Sequence, residues 1–256
     1  ARELYEKQPL FSARTSTSVE NQAYSTPAPL AIALRRATET STSTSMYEPT
    51  AGTGMLMIGA DLANSHANEK NDLRAEILGK LGVGTISKND ATTFTPRVKF
   101  DVVHANPPFG TISNVKYDGY GIKKLEHLIS LKALEAMKDN GVGALILGAN
   151  MVERENTSKG AQWVFENYLY GHYNVVDNFE VDGELYGNQG AKWPVRVLVV
   201  AGRKANPETG EFAPSKVDRL ATWDDVWARA ERIRNEVEAK RTSMGAGGQT
   251  GNAPDT

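Results

Sequence analysis

One junction restricts the fold more than any other stretch. The apolar run Phe100-Asp101-Val102-Val103-His104-Ala105 stops abruptly at Asn106-Pro107-Pro108-Phe109. The run reads as a buried strand, and two consecutive prolines, unable to donate to a sheet ladder, end it there. In open α/β sheets the carboxyl end of such a strand faces the crevice that takes ligands. Pro107 also keeps Asn106 out of the helical region. An asparagine amide, a rigid carbonyl and an aromatic ring are thus presented together at a sheet edge. Asn106 Oδ1 and the Pro107 carbonyl can accept the two hydrogens of a planar amine while Phe109 stacks on its ring. The plain alternative is a Pro-Pro turn that only ends a strand.

With 256 residues and 40% hydrophobic content, the chain can bury a core of one α/β domain with additions. It contains no cysteine, which excludes disulfides, thiolate metal sites and cysteine nucleophiles and fits a cytoplasmic setting. No apolar stretch of membrane-spanning length and no secretory signal is present, so a membrane partner is not expected. The formal net charge is −2, so attraction to nucleic acid requires a local basic patch or sequence outside this chain.

Four segments are expected along the chain: a flexible lead-in (1–20), a catalytic domain (21–204), a helical extension (205–243) and a disordered linker (244–256). In Gln22 to Leu30, Thr26 is a plausible helix N-cap with Pro27 at the first helical position, and Leu30, Ala33, Leu34 and Ala37 share a face. Met46-Tyr47-Glu48 reads as a short strand leading into Pro49-Thr50-Ala51-Gly52-Thr53-Gly54, where the glycines let the backbone approach a ligand. A helix is expected over Met55 to Leu62. Glu48 disfavours a pyrophosphate and favours an ammonium or sulfonium group; the pattern is not the dinucleotide fingerprint. A second strand over Ser65 to Asn68 ends at Glu69, where nucleotide-binding βαβ units place the acid that takes ribose hydroxyls. Asp90, after a weak third strand, is either a turn former or an acceptor for an adenine amine.

Gly110 to Gly121 reads as a glycine-rich lid or a simple connection, followed by a helix over Ile122 to Met137 closing at Asn140-Gly141. Lys123, Lys124 and Lys132 are its solvated side, with a patch for backbone phosphates as the lesser alternative. Asn174 to Phe179 and Pro194 to Ala201 read as an antiparallel pair ending an otherwise parallel sheet. Thr222 caps a helix whose Trp223, Val226, Trp227, Ala230, Ile233 and Val237 recur at helical spacing.

Taken together, the Glu48 to Gly54 loop, Glu69, Asp90 and the Asn106 to Phe109 turn resemble the class I S-adenosylmethionine-dependent methyltransferases. Within these, the chain looks like the DNA adenine-N6 enzymes, and the Gln22 to Leu30 segment upstream of the cofactor loop resembles their γ-type motif order. It is also similar to the methylase part of DarB-like or strawberry-notch-like phage and plasmid methylase–helicase antirestriction proteins. The resemblance covers roughly residues 20 to 202. It implies a Rossmann-like α/β fold: a seven-stranded, mostly parallel sheet with its last strand antiparallel and helices on both faces. S-adenosyl-L-methionine would be the cofactor and no metal would be needed. Tyr24, Thr26 and Pro27 would border the methionine carboxylate, Glu48, Pro49, Thr50, Gly52 and Gly54 the amino-acid part, Glu69 the ribose and Asp90 the adenine. Asn106, Pro107, Pro108 and Phe109 would form the catalytic turn, with Asn106 also touching the cofactor. The acceptor would be a flipped-out or single-stranded DNA adenine, with a helicase domain or partner subunit as an associated partner. The γ group's large recognition region has little room here, which implies permissive recognition or recognition elsewhere. Three alternatives stay open at this point: an RNA guanine N2 acceptor, a protein glutamine acceptor, and a non-catalytic antirestriction or assembly module.

Overall fold

The structure is a computed structural model that describes residues 2–7, 26–149, 160–189, 193–210, 212–214 and 216–247. Helices α1 (Arg2–Glu6) and α2 (Ala28–Ala37) come first, then strands β1 (Met46–Glu48) and β2 (His66–Asn68). Helix α3 (Asp72–Lys80), strands β3 (Thr85–Ser87) and β4 (Phe100–Ala105), and the hairpin β5 (Thr111–Tyr117) and β6 (Tyr120–Lys124) follow. The chain continues through α4 (Leu125–Glu135), β7 (Met137–Gly148), α5 (Ala161–His172), β8 (Tyr173–Val181), β9 (Val195–Arg203), β10 (Arg219–Leu220) and α6 (Trp223–Gly247).

The main sheet has eight strands in the order β10-β8-β9-β7-β4-β1-β2-β3. β9 runs antiparallel to both β7 and β8, and the other pairings are parallel. The expected seven strands are therefore present, and two-residue β10 adds an eighth at one edge.

The central strands are buried on both faces because their apolar residues alternate between two cores. Val102 of β4 and Val142, Ala144 and Ile146 of β7 join one core, with Leu30 and Leu34 of α2 and Ile233 of α6. Val103, Leu145 and Leu147 join the other, with Leu131 of α4 and Phe165 of α5. This two-sided burial explains the near-continuous hydrophobic runs. Thr222 caps α6 by accepting from the Asp225 amide at 3.1 Å, and Trp223, Val226, Ala230, Ile233 and Val237 are buried. Trp227, expected on the same stripe, is 44% exposed.

Several expectations are corrected. Residues Arg2–Glu6 of the expected lead-in are helical, with Tyr5 buried beside Trp223. α6 runs past residue 243 through Gly247. Met55 to Leu62 is not an α-helix but a 3-10 turn, Met55–Met57, and a start of another, Leu62–Asn64, because Gly59 between them takes a positive φ of 81°. Gly110 to Gly121 is mostly the hairpin β5–β6, so α4 starts at Leu125 rather than Ile122. α4 also ends earlier, capped by Ala136, and Asn140-Gly141 lies within β7. Among the described residues no helix is long and apolar enough to cross a membrane.

Candidate functional site

Parallel pairing of β4, β1, β2 and β3 brings the ends of these strands side by side. After β1, the chain turns at Gly52 (φ 56°) and Gly54 (φ 82°), left-handed values that disfavour any side chain. The Gly54 amide donates to the Ala51 carbonyl at 2.8 Å, closing the turn.

Glu48, at the end of β1, is 2% exposed, and its Oε2 has no hydrogen-bond partner. Burial, with Glu69 close by, pushes its carboxyl well above the ordinary carboxylate range. Glu69 accepts from the Gly52 amide at 2.7 Å and from the Asn71 amide at 2.8 Å, so it joins the glycine turn to the start of α3. Asp90 is half exposed and acts as a turn former: Oδ1 accepts from the Thr92 amide (2.9 Å) and hydroxyl (2.7 Å). Those bonds hold it below its usual range, and Lys70 stands 3.4 Å from the other oxygen.

Asn68 ties these loops together, a role that sequence reasoning missed. Its Nδ2 donates to the carbonyls of Pro49 (2.9 Å) and Asn89 (3.0 Å), and its Oδ1 accepts from the Ser87 hydroxyl (2.7 Å) and the Asn89 amide (2.9 Å). The signal was there: a polar residue ending a strand whose neighbours are loops. His104, in the middle of the apolar run, is a fully buried structural histidine. It bonds Thr38 Oγ1 and the Leu56 carbonyl, both at 3.0 Å, and burial lowers its pKa to about 4.

The Asn106 turn lies beside the glycine turn, with Thr50 Oγ1 donating to the Asn106 carbonyl at 3.3 Å. Thr26 does not cap α2 through its side chain; Pro27 stands at the N-cap position instead. The Thr26 hydroxyl accepts from Asn106 Nδ2 at 3.0 Å. With the amide so oriented, Oδ1 is left as an acceptor. The Phe109 ring packs against Gly148, where an added Cβ would stand in ordinary contact, 3.4 Å from the ring. Glu126, also missed, is buried and accepts from the Gly110 amide at 2.9 Å, while the Gly110 carbonyl accepts from the Leu125 amide at 2.9 Å. The turn is therefore fixed at both ends, by Thr26 and by the first turn of α4.

Of the site residues expected from the sequence, the structure brings Thr26, Pro49, Thr50, Gly52, Gly54, Glu69 and Asn106 together through hydrogen bonds within and between their loops, with Glu48 beside them at the end of β1. Asp90 stands at its edge. Tyr24 lies outside the described residues. No group of His, Asp or Glu among the described residues could hold a metal ion.

No protein-family model and no curated protein sequence matches the chain. Its fold does recur among solved structures. A protein assigned as a class I S-adenosylmethionine-dependent methyltransferase of Listeria monocytogenes superposes with a TM-score of 0.57 at 11% identity, over 80% of this chain and 69% of that one. The type I restriction enzyme EcoKI M protein (EC 2.1.1.72) gives 0.55 at 15% identity, over 73% of this chain and 46% of that one. An assigned RNA methyltransferase of Pyrococcus horikoshii gives 0.50 at 19%, over 78% and 95%. The fold is that of the Rossmann-like class I methyltransferases.

Proposed function

We propose that this chain transfers a methyl group from S-adenosyl-L-methionine to the N6 amine of adenine in DNA. One observation carries the reading: Asn106 Nδ2 donates to Thr26, which leaves Oδ1 as an acceptor in the turn that also holds Pro107 and Phe109. The fold and the likeness to a restriction-modification M protein support it.

The residues present fit the cofactor. Glu48 supplies a buried, partnerless carboxylate oxygen for the ammonium of the methionine part. The turn at Gly52 and Gly54 lets backbone amides approach that part, and Glu69 keeps a further lone pair on each oxygen for ribose hydroxyls. Pro27, with Thr26 before it, opens α2 beside the Asn106 turn, and Asp90 stands at the adenine end. Bound S-adenosyl-L-methionine supplies an electrophilic sulfonium methyl.

An exocyclic adenine amine is a poor nucleophile because its lone pair is delocalised into the ring. Asn106 Oδ1 and the Pro107 carbonyl, accepting its two hydrogens, favour a pyramidal nitrogen with a directed lone pair. Pro107 and Pro108 keep these acceptors rigid, so catalysis is mostly positioning and electrostatics. Neither acceptor is basic, so the surplus proton leaves to water. The base must be flipped out or single-stranded, and Phe109 then replaces lost stacking worth about 1–3 kcal/mol.

The test is incubation with tritiated S-adenosylmethionine and unmethylated duplex or single-stranded DNA, followed by nucleoside analysis. Label in N6-methyladenine is the expected result; label only in RNA or protein would move the acceptor. Asn106→Ala should lower transfer by about 10²–10³-fold, while cofactor affinity measured by calorimetry stays within about threefold of wild type. Equal loss of both would refute this division of roles.

A further inference from the structure

The hairpin β5–β6 begins two residues after Phe109 and returns directly into α4. Its root is closed by the two bonds that Gly110 makes with Leu125 and Glu126. Cross-strand partners are Val115 with Ile122, Lys116 with Gly121 and Tyr117 with Tyr120. Because side chains alternate along a strand, Asn114, Lys116 and Lys123 share one face and Val115, Tyr117, Tyr120 and Ile122 the other. The second face is anchored to the body of the protein. Ile122 is 1% exposed, and Tyr117 and Tyr120 meet the Tyr168 ring edge-on at 5.5 Å and 5.1 Å. The first face is exposed at all three side chains, and neither lysine has an acid partner among the described residues.

We propose that this exposed face is a DNA-engaging ribbon, with Lys116 and Lys123 neutralising backbone phosphates of a duplex beside the target nucleotide and the ribbon entering the major groove. The inference rests on the functional reading above and adds to it how the duplex is held.

Three arguments support the assignment. A protein with a net charge of −2 draws a polyanion only through a local basic surface, and two lysines on one face of the ribbon, without an acid partner among the described residues, are such a surface. A two-stranded ribbon fits the B-DNA major groove, about 12 Å wide, whereas the deep, narrow major groove of A-form RNA excludes it. Finally, the ribbon and the Asn106 turn share a fixed root, so a phosphate held by the lysines stands at a set reach from the acceptors. A strand of seven residues extends roughly 20 Å, enough to contact several nucleotides without a separate recognition domain.

The experiment compares wild type with the K116A/K123A double variant, using a fluorescent unmethylated DNA duplex and anisotropy between 50 and 200 mM salt. Each phosphate contact contributes about 0.9 to the slope of log affinity against log salt, so the slope should fall by about 2 and binding at low salt by about 10–100-fold. Melting temperature and cofactor affinity should stay at wild-type values, since both side chains are exposed. An unchanged slope, whether or not affinity falls, overturns the ribbon, and it does so while leaving the functional reading intact if wild type still methylates the duplex. Wild type that neither binds nor methylates DNA overturns both.

Discussion

The two halves of the sheet treat buried acids in opposite ways. In the half built from β8, β9 and β10, carboxylates meet guanidinium groups. Arg196 donates to Glu166 and Glu180, each at 2.6 Å, and Arg219 reaches the other Glu180 oxygen at 2.7 Å. Asp177 is held by Arg229 at 2.6 Å and Arg232 at 3.0 Å. In the half built from β1, β2 and β3, Glu48 has an oxygen with no partner and Glu69 is held by backbone amides alone. Burying a charge is expensive unless it is paired. The first half is balanced by its own guanidinium groups; in the second, neither acid meets a cation among the described residues.

The contrast can be broken most forcefully at Arg196. Arg196→Met leaves Glu166 and Glu180 without their shared guanidinium in a buried setting, and should destabilise the protein by about 3–5 kcal/mol in a denaturant titration. Cofactor affinity, measured well below the transition, should hardly change. An equally stable variant would mean that the cluster is not structural.

Glu48→Gln should do the reverse. It removes a costly buried acid, so stability should hold or rise, while affinity for an ammonium-bearing cofactor should fall by about 10–100-fold, the worth of a charge-assisted hydrogen bond of about 1.5–3 kcal/mol. Loss of stability without loss of affinity would place Glu48 with the structural acids.

The smallest effect sharpens the comparison further. Burial, with Glu69 nearby, holds the Glu48 carboxyl well above its ordinary range, and a bound cation would favour the ionised form. Binding should therefore release a fraction of a proton and tighten as pH rises above the ordinary carboxylate range. Calorimetry in buffers of different ionisation enthalpy reads this directly. The dependence should vanish in Glu48→Gln and persist in the Arg196 variant.

The sheet edge was legible in the sequence where a residue's local chemistry and its tertiary role coincide. The strand ending at Asn106-Pro107-Pro108, the glycine turn after Glu48 and the acid ending β2 declare themselves by proline, glycine and charge. The hairpin was hidden although its signal is present: Asp118-Gly119, both at positive φ and flanked by Tyr117 and Tyr120, is a strong hairpin turn. Glycines nearby suggested a mobile loop, but mobility is decided by the tyrosines' contacts with α5, which no local pattern reveals. Thr26 was misread for a similar reason. A helix-capping pattern is local, whereas its hydroxyl is committed to Asn106, 80 positions away. Asn68 and Glu126 act through partners distant in the sequence, among them Pro49, Asn89 and Gly110, so their roles emerge only once the chain is folded.

Asn68 also has a consequence for how a ligand would be read. Because one amide spans the loops after β1, β2 and β3, these loops form a single frame rather than three separate grips. A molecule reaching across them meets its contacts already aligned, so its two ends bind with little ordering entropy left to share. Cutting the frame would turn one rigid recognition event into several weak ones, each bearing its own entropy of closure.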